Sequence, residues 1–481
     1  MSLSASLNNA LTGLGLSSRR AEIIASNVAN ADTPGYARRQ LVTSGTTTGV
    51  PAGRTSVVRD VDPTLQGMRR DAQAKTAEAS VGQAFHTRFE AAIGDPDQSG
   101  SLQELLARLD ASFTAAAADP TSATRLAVVS QSAQDLADKL NSLGDLVTTD
   151  RQATEGAVGD TVDRLNDDLS SVASLNGDIA RMRATGVDPS NLLDQRQSIV
   201  DRIATDIPLR QLPRDNGGIA LVSQGGVVLL DGGAAEIGYQ PRTLIQPHQT
   251  YPDDLSGLTV NGRNVGAGAV GDGLAGGGLG GLFTLRDEGA TTAMARLDAV
   301  AVELGARFQD PSVDPSLAGA TAGLFTDAGA RVDDGDFVGL SSRIAVNARV
   351  TPDQPSGHWH LRDGLGAVTP GSTSNQEQLF RFSEALGTVA VPVSSSLGDG
   401  SHDIAGLGAR LRSAVSLDRV TADEVLDRSR AQETTLVDLR DGGAVDIDEE
   451  MRSLLEVEQA YAANARLIQA VGQMMDRLTE I

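Results

Sequence analysis

The chain has 481 residues, of which 40% are hydrophobic and 21% are charged, so it can bury a core and is not disordered as a whole. Its net charge of −23 argues against nucleic acids and anionic membranes as default partners. The absence of cysteine excludes disulfides, thiolate catalysis and cysteine-ligated metals. The N-terminus lacks the features of a classical signal peptide and no apolar run reaches membrane-spanning length, so we expect neither a cleaved leader nor a transmembrane helix.

The first 30 residues predict an amphipathic helix, because apolar residues recur there at helical spacing. One row repeats every seventh residue, at Leu7, Leu14, Ala21 and Val28. The row is weak, since Gly13 and Gly15 lower helix propensity and Ser17 and Ser18 fall on it or beside it. A loop over residues 30–36, with its Pro-Gly step, ends the helix.

The next segment predicts an elongated antiparallel helical bundle. Residues 40–62 form an extended excursion or a short hairpin, and helices follow, separated by short breaks. A capping box at Ser101–Glu104 opens one of these helices. The predicted helices cover residues 64–93, 101 onwards, 123–147, 151–184 and 191–203.

From Pro208 the chain becomes rich in glycine and in short β-type runs, which predicts a small β-domain. Helix returns over 281–309, a second β-rich stretch covers 311–370, and capping boxes at Ser374–Glu377 and Thr421–Glu424 open further helices. The predicted fold is mainly α with β inserts and an elongated antiparallel bundle. Its nested domains are a terminal coiled coil (1–36 and 446–481), a helical bundle (37–207, 282–310 and 371–445) and a small, outward β-rich domain (208–281 and 311–370).

The last stretch, Asp446 to Ile481, predicts a long helix with an apolar seam that needs a partner helix. One row of the seam recurs every seventh residue, at Ile447, Leu454, Tyr461, Ile468 and Met475. A second row lies three places later, at Val457, Val471 and Leu478, and is interrupted by Glu450 and Asn464. We expect this helix to pair with the N-terminal helix as a coiled coil, and the pair still to need neighbours. The alternative is two ordinary helices docked on one globular core.

The candidate sites for chemistry all favour a plain structural interpretation. The glycine run 266–271 matches a dinucleotide-binding motif as text, but further glycines follow where a helix should begin. His358 and His360 flank Trp359 on a predicted strand, and two imidazoles do not make a zinc site. The carboxylates at 446–450 fit the capping of a helix start better than acid–base catalysis. We therefore predict no catalytic residue, no cofactor, no metal and no enzyme.

Both chain ends carry motifs of one known family. Ser26–Tyr36 resembles the signature shared by the rod, hook and hook-associated proteins of the bacterial flagellum, on the residues Asn27, Asn30, Thr33, Pro34, Gly35 and Tyr36. Val445–Met451, Glu458–Tyr461 and Ala465–Ile468 resemble the family's C-terminal end. Two internal pieces, Asn191–Arg196 and Gly281–Asp287, resemble the hook-associated members found at the hook–filament junction. Asp32 and Glu458 depart from the family pattern, which commonly has Asn and Gln there.

The resemblance implies a structural flagellar subunit that joins hook to filament and assembles with copies of itself through its terminal helices. Expected partners are the hook protein, a second junction protein and a cytoplasmic export chaperone, with no nucleic acid and no membrane. It also implies export without a cleaved signal peptide to the extracellular flagellum. The residues expected to pack subunits and to bind the chaperone are Leu7, Leu14, Ala21, Val28, Leu454, Tyr461, Ile468 and Met475.

Three alternatives remain open at this point. The chain could be another flagellar axial protein of the hook or rod, although the two internal pieces and the long helical middle argue against that. It could be a secreted adhesin whose β-inserts bind a ligand, which a ligand for residues 208–281 alone would favour. An enzyme would require a catalytic pair in the β-domain.

Overall fold

A computed structural model describes residues 3–33, 36–43, 55–266, 273–319, 321–441 and 445–479. The fold is mainly α with small β inserts, as predicted. Contacts divide the chain into two compact units. The first unit comprises Met1–Ala74, Arg164–Glu236 and Arg430–Ile481, and the second comprises Lys75–Asp163 and Ile237–Ser429. The nested division into three domains stays a prediction.

The helices follow the apolar periodicity of the sequence. They are α1 Leu3–Ala29, α2 Pro63–Ile93, α3 Leu102–Ala118, α4 Ala123–Thr185, α5 Ser190–Asp206, α6 Gly277–Thr284, α7 Ala290–Phe308, α8 Trp359–Asp363, α9 Glu377–Gly387, α10 Ile404–Asp441 and α11 Ile447–Thr479. A π-helical turn, Leu285–Gly289, joins α6 to α7.

The strands are short and pair only with antiparallel neighbours. They are β1 Arg39–Thr43, β2 Thr55–Arg59, β3 Leu209–Pro213, β4 Ile219–Ser223, β5 Val228–Asp231, β6 Gly233–Ala234, β7 Ile237–Gly238, β8 Leu258–Val260, β9 Arg263–Val265, β10 Phe325–Asp327 and β11 Ile344–Val346. Within the described residues they form the sheets β1-β2, β3-β4-β5-β6, β7-β8-β9 and β10-β11. β1 and β2 therefore form a hairpin, one of the two options that the sequence left open.

Several predicted helix boundaries are wrong, and one is confirmed. The two helices predicted over 123–147 and 151–184 form the single 63-residue helix α4, because neither Gly nor Pro occurs between them to stop it. α10 runs through Thr421–Glu424, so that capping box does not open a helix. At α9 the side chain of Asn375, not Ser374, accepts a hydrogen bond from Glu377 N, at 3.1 Å. Ser101 caps α3 as predicted, accepting from Glu104 N at 3.2 Å.

The first unit is built on the two chain ends. α1 pairs with α11, and the β1-β2 hairpin follows α1. α5 and the β3-β6 sheet, in which each strand pairs antiparallel with the next, complete the unit together with the adjoining parts of α2, α4 and α10.

The second unit has an apolar core that holds an aromatic cluster. Phe308 on α7 lies 5.9 Å from Phe113, 5.4 Å from Phe325 and 5.4 Å from Phe382, measured between ring centroids. All four rings are fully buried. Hydrophobic burial of this kind is the main stabilising contribution in a packed bundle.

The stretch 311–370 is less β-rich than predicted. Among its described residues only β10 and β11 pair as strands, and the rest consists of turns and short helices. His358–His360, predicted as a strand, instead leads into the short helix α8, where the rings of Trp359 and His360 stack with centroids 3.7 Å apart. The alternation that suggested a strand covered only three residues, too few to fix the secondary structure.

Candidate subunit-packing surface

The two terminal helices run antiparallel, with a register fixed by two contacts. Asn27 Nδ2 donates to Glu450 Oε2 at 3.1 Å. Gly13 faces Asn464 so closely that a Cβ added at Gly13 would lie 2.7 Å from Asn464 Nδ2. The second contact is fourteen residues earlier on α1 and fourteen later on α11, which is the relation expected of an antiparallel pair.

The buried row on each helix lies three places after the strongest apolar row. On α1 the buried residues are Ala10, Ser17, Ile24 and Asn27. On α11 they are Glu450, Val457 and Val471, the second row of the sequence prediction. The side chain of Leu478, the last member of that row, lies outside the described side chains.

The residues predicted to pack subunits lie at the margin of this contact or outside it. Leu454 and Ile468 are half-buried, whereas Tyr461 and Met475 are 50% and 45% exposed. The four predicted residues of α1 are half-buried as well: Leu7, Leu14, Ala21 and Val28. The helix pair therefore uses the weaker row for its own contact and leaves Ile447, Tyr461 and Met475 of the stronger row about half exposed.

Further large apolar side chains of the pair are exposed. Those at least 45% exposed, besides Tyr461 and Met475, are Leu11, Ile447, Met451, Leu455, Leu467 and Met474. Scattered single apolar residues on a surface are ordinary, but a large set concentrated on one helix indicates an interaction surface. We call the exposed and half-buried row Ile447, Leu454, Tyr461, Ile468 and Met475 the open row.

Asn27 connects the helix pair to the loop and the hairpin that follow α1. Its Nδ2 donates to the Arg39 carbonyl at 3.0 Å as well as to Glu450. Its Oδ1 accepts from Tyr36 Oη at 2.9 Å and from Arg39 N at 3.0 Å. The Asn27 side chain is buried, and all its hydrogen-bonding positions are filled, which meets the requirement for burying a polar group.

The rest of the N-terminal motif shapes the turn that brings Tyr36 to Asn27. Asn30 Nδ2 donates to the Ser26 carbonyl at 2.8 Å, and Thr33 Oγ1 donates to Asn30 Oδ1 at 3.4 Å. The Arg39 guanidinium lies over the Tyr36 ring, 4.8 Å from its centroid. Pro34 and Gly35 lie outside the described residues.

Glu450 is a buried carboxylate with two partners, whereas the sequence predicts only a capping role for it. Its Oε1 accepts from Arg38 Nε at 2.8 Å. Burial alone would lower the pKa of Arg38, but the hydrogen bonds and charges of Glu450 and Glu449 raise it above its usual value. The capping role belongs to Asp446, whose Oδ1 accepts from the backbone N of Asp448 at 2.9 Å. An acidic residue interrupting an apolar row was the available signal for this buried pair.

The internal motif at 191–196 anchors the hairpin within the first unit. Asp194 accepts from Arg39 Nη2 at 2.7 Å and from Arg59 Nε at 2.9 Å, one arginine from each strand. Arg196 is buried and donates to Asn176 Oδ1 at 2.8 Å. Burial lowers the pKa of Arg196 to about 10, so the guanidinium stays charged at neutral pH.

The other internal motif, at 281–287, forms a buried ionic cluster in the second unit. Arg286 is fully buried and contacts Glu155 at 2.9 Å and Asp287 at 2.7 Å. Its Nη1 also donates to Tyr239 Oη at 2.7 Å. Burial alone would lower the pKa of Arg286, but these partners raise it. Gly281 is required by packing, because a Cβ there would lie 2.9 Å from the Glu78 carbonyl oxygen.

The remaining features considered in the sequence are a metal site, a membrane-spanning helix and a dinucleotide-binding loop. Within the described ranges, no three His, Asp or Glu side chains come together in a way that could hold a metal ion. None of the helices in those ranges is both long and apolar enough to cross a membrane. The glycine run 266–271 falls almost entirely outside the described residues.

Three family models match the chain. "Flagellar hook-associated protein FlgK helical domain" matches residues 87–311, "Flagellar basal body rod FlgEFG protein C-terminal" matches 442–481, and "Flagella basal body rod protein" matches 7–36. The helical-domain model includes both internal motifs, and the other two models cover the paired terminal helices. The chain is thus similar to the flagellar hook-associated protein FlgK over its helical middle and to flagellar rod proteins at both ends.

Curated members of the FlgK family are distant in sequence. Each of the following is named flagellar hook-associated protein 1. The Bacillus subtilis protein is 22% identical over 94% of this chain and 93% of its own length, and the Escherichia coli protein is 20% identical over 100% of both. The Salmonella typhimurium protein is 23% identical over 53% of this chain, and the chain spans about half of that relative, 48% of its length. A solved FlgK structure from Burkholderia pseudomallei matches with a TM-score of 0.44 and 22% identity, covering 55% of this chain and 47% of that one.

Proposed function

We propose that this protein is a structural subunit of the bacterial flagellum, an adapter that joins hook to filament and assembles through its paired terminal helices. The observation that carries the proposal is the open row. A helix pair that buries one row of mixed polar and apolar residues, and leaves Ile447, Tyr461 and Met475 of the other row about half exposed, keeps an apolar face for a neighbour.

The residues proposed to pack subunits differ in how exposed they are. Tyr461 and Met475 would enter the contact with a neighbouring subunit, while Leu454 and Ile468 border it. Leu7, Leu14, Ala21 and Val28 would extend that contact along α1.

The partners follow from the same proposal. One end of the adapter would meet the hook protein and the other a second junction protein, with further copies of the chain beside it. The subunit would act outside the cell, in the flagellum. Its role would be mechanical, with no enzymatic turnover, since the buried charges described above are occupied by structural partners.

Binding to isolated hooks tests the adapter function. Fluorescent or gold-labelled full-length protein is added to purified hooks and located by microscopy. We expect label at one end of each hook. Label along the sides of hooks, or no label at all, would contradict the adapter proposal.

Charged substitutions test whether the open row carries the assembly. Tyr461→Glu and Met475→Glu are expected to abolish end-binding, because each buries a carboxylate in an apolar contact. Ala462→Glu is the matched control, since it adds the same charge at an exposed position of α11 outside the row. If all three variants bind hooks like the unmodified protein, the open row is not the assembly surface.

A cytoplasmic chaperone is proposed to cover the open row before export. Chaperone binding and subunit packing would then exclude each other. A variant lacking residues 446–481 is expected to lose chaperone binding in a pull-down with the purified chaperone. Normal binding by that variant would contradict this part of the proposal.

A further inference from the structure

A groove of about 790 Å³ lies within the first unit. It is bordered by the loop after α1, the start of α2, α5 and the segments that end α10 and begin α11. Its lining includes the apolar residues Leu65, Leu439 and Ile447, of which Leu439 is 61% and Ile447 46% exposed. It also includes the polar residues Gln66 and Gln73.

Three polar side chains on one face of α2 have buried atoms without a hydrogen-bond partner among the described residues. The atoms are Gln66 Nε2, Arg70 Nη2 and Gln73 Oε1. Their spacing of four and then three residues places them on a single helical stripe. An unpartnered buried polar atom destabilises a folded protein, so each of these atoms gains from a partner that reaches it. Two of the three side chains line the groove, which gives an entering partner access to them.

The neighbouring polar groups already have partners and leave these atoms unsatisfied. Asp201 accepts from Arg70 Nε at 2.6 Å and also pairs with Arg69. Gln211 Oε1 accepts from Arg70 Nη1 at 3.0 Å, and Gln197 Oε1 accepts from Arg59 at 3.0 Å. The glutamine side chains are flexible and can turn their amides toward a group that enters the groove.

The charge of the groove opposes entry of another copy of the same acidic chain only weakly. Four aspartates and three arginines are among its described lining residues, a net charge of −1, whereas the whole chain carries −23. Like-charge repulsion between two copies is therefore small at this place. The groove is also continuous with the open row, because Ile447 belongs to both.

We propose that this groove binds a second copy of the chain, whose main-chain N–H and C=O groups pair with the amides of Gln66 and Gln73. The apolar lining residues Leu65, Leu439 and Ile447 would cover an aliphatic side chain of the same entering segment. The inference rests on the proposed function, since it adds a second, polar contact to the assembly that begins at the open row. It also gives the two glutamines a role that packing within the subunit does not.

Photo-crosslinking of the full-length protein identifies what occupies the groove. The chain has no cysteine, so Ser198→Cys, at an exposed position of the groove, introduces the sole thiol, to which a benzophenone maleimide is attached. Ser171→Cys, exposed on α4 and outside the groove lining, is the control. Sedimentation velocity measures self-association of the same samples.

We expect a covalent dimer from the Ser198→Cys label, with the second copy's peptide found by mass spectrometry, and much less dimer from the control label. Self-association without a dimer specific to Ser198→Cys would overturn the groove proposal and leave the proposed function intact. If the chain does not self-associate at any concentration or salt that assembles flagellar subunits, both fail.

Replacement of the two amides separates binding from stability. The double variant Gln66→Leu and Gln73→Leu removes two unsatisfied groups at similar volume, so we expect an unchanged or higher unfolding midpoint. We expect its self-association to weaken about tenfold or more, since two hydrogen bonds to the second copy are lost. Gln195→Leu, at an exposed position of α5 outside the groove, is the matched control. A lower unfolding midpoint with unchanged self-association would show that the amides serve the subunit alone and would overturn the proposal.

Discussion

The helix pair of the first unit and the aromatic core of the second unit differ in what they bury. The core of the second unit holds Phe113, Phe308, Phe325 and Phe382 fully buried, although other large apolar side chains of that unit, such as Phe380, are exposed. The helix pair encloses Ser17, Asn27 and Glu450 beside small apolar residues, while Tyr461 and several methionines and leucines are exposed. The aromatic core is complete within one chain, whereas eight large apolar side chains of the helix pair are at least 45% exposed. On the proposed function, folding would depend mainly on the first of these regions and assembly on the second.

Removing a ring from the bundle has the largest expected effect. Phe308→Ala leaves a cavity among three other rings and should cost about 3–5 kcal/mol of unfolding free energy. The loss of unfolding free energy is measured by urea unfolding, monitored through hydrogen exchange of the α7 amides. Phe380→Ala, at a side chain 49% exposed, is the control and should change little. Equal losses in the two variants would mean that the bundle core is not closed as described.

The ionic cluster of the bundle is the next target. Arg286→Met leaves the carboxylate of Glu155 buried without its cation and should cost about 3–5 kcal/mol. Adding Glu155→Met removes the stranded charge and should recover part of the loss. A double-mutant cycle on unfolding free energies measures the coupling, expected at about 0.5–3 kcal/mol. Strictly additive losses would contradict a direct pairing of these two groups.

Asn27 is the corresponding test in the helix pair. Asn27→Ala leaves Glu450 Oε2 and the backbone groups of Arg39 without their side-chain partner, a loss of about 1–3 kcal/mol. We expect faster hydrogen exchange in α1 and α11 with unchanged protection of α7. Asn9→Ala, at an exposed position of α1, should leave both regions unchanged. Uniform loss of protection throughout the chain would remove the distinction between the two regions.

Two substitutions on one helix sharpen the distinction between the buried row and the open row. Val457→Ala removes buried methyl groups and should cost about 1–2 kcal/mol in the isolated subunit. Tyr461→Ala should change the isolated subunit by no more than about 0.5 kcal/mol, because half of the side chain is already exposed. Assembly on hooks should respond in the reverse order. A larger stability loss for Tyr461→Ala than for Val457→Ala would mean that the open row is closed in the subunit.

The sequence identified which helices pair, and the structure was needed to show which row they bury. Heptad spacing at Leu7–Val28 and Ile447–Met475 predicted two seams. The hydrophobic pattern could not reveal that polar Asn27 and Glu450 would satisfy each other across the contact, because hydrogen-bond geometry depends on residues far apart in sequence. The row that is buried is the one that contains this pair.

Helix ends show a similar limit. Ser101 was predicted correctly because its capping box follows a glycine and precedes an apolar run. The same pattern at Thr421–Glu424 lies inside α10, where helix already continues on both sides and no breaker interrupts it. Local sequence signals a helix start only where the preceding chain cannot remain helical.

The smallest expected effect is a loss of stability at acid pH. It distinguishes the two units because they differ in histidine content. All five histidines lie in the second unit, and none lies in the first. Burial lowers the pKa of His86, an effect that Asp418 opposes and Arg296 adds to. The unfolded chain therefore binds the proton at a higher pH than the folded bundle does. Stability from this site is fully present well above pH 6.5 and falls as the pH drops through about 6.5 toward the lower folded value.

His86→Asn should thus reduce the loss of bundle stability between pH 7 and pH 5, measured by hydrogen exchange of the α2 and α7 amides. Carboxylates contribute equally to both proteins over that range, so the difference between them isolates the imidazole. Exchange in α1 and α11, normalised for its intrinsic pH dependence, should show no difference between the two proteins, since the substituted group belongs to the other unit. A difference confined to α1 and α11 would contradict the assignment of this pH effect to the second unit.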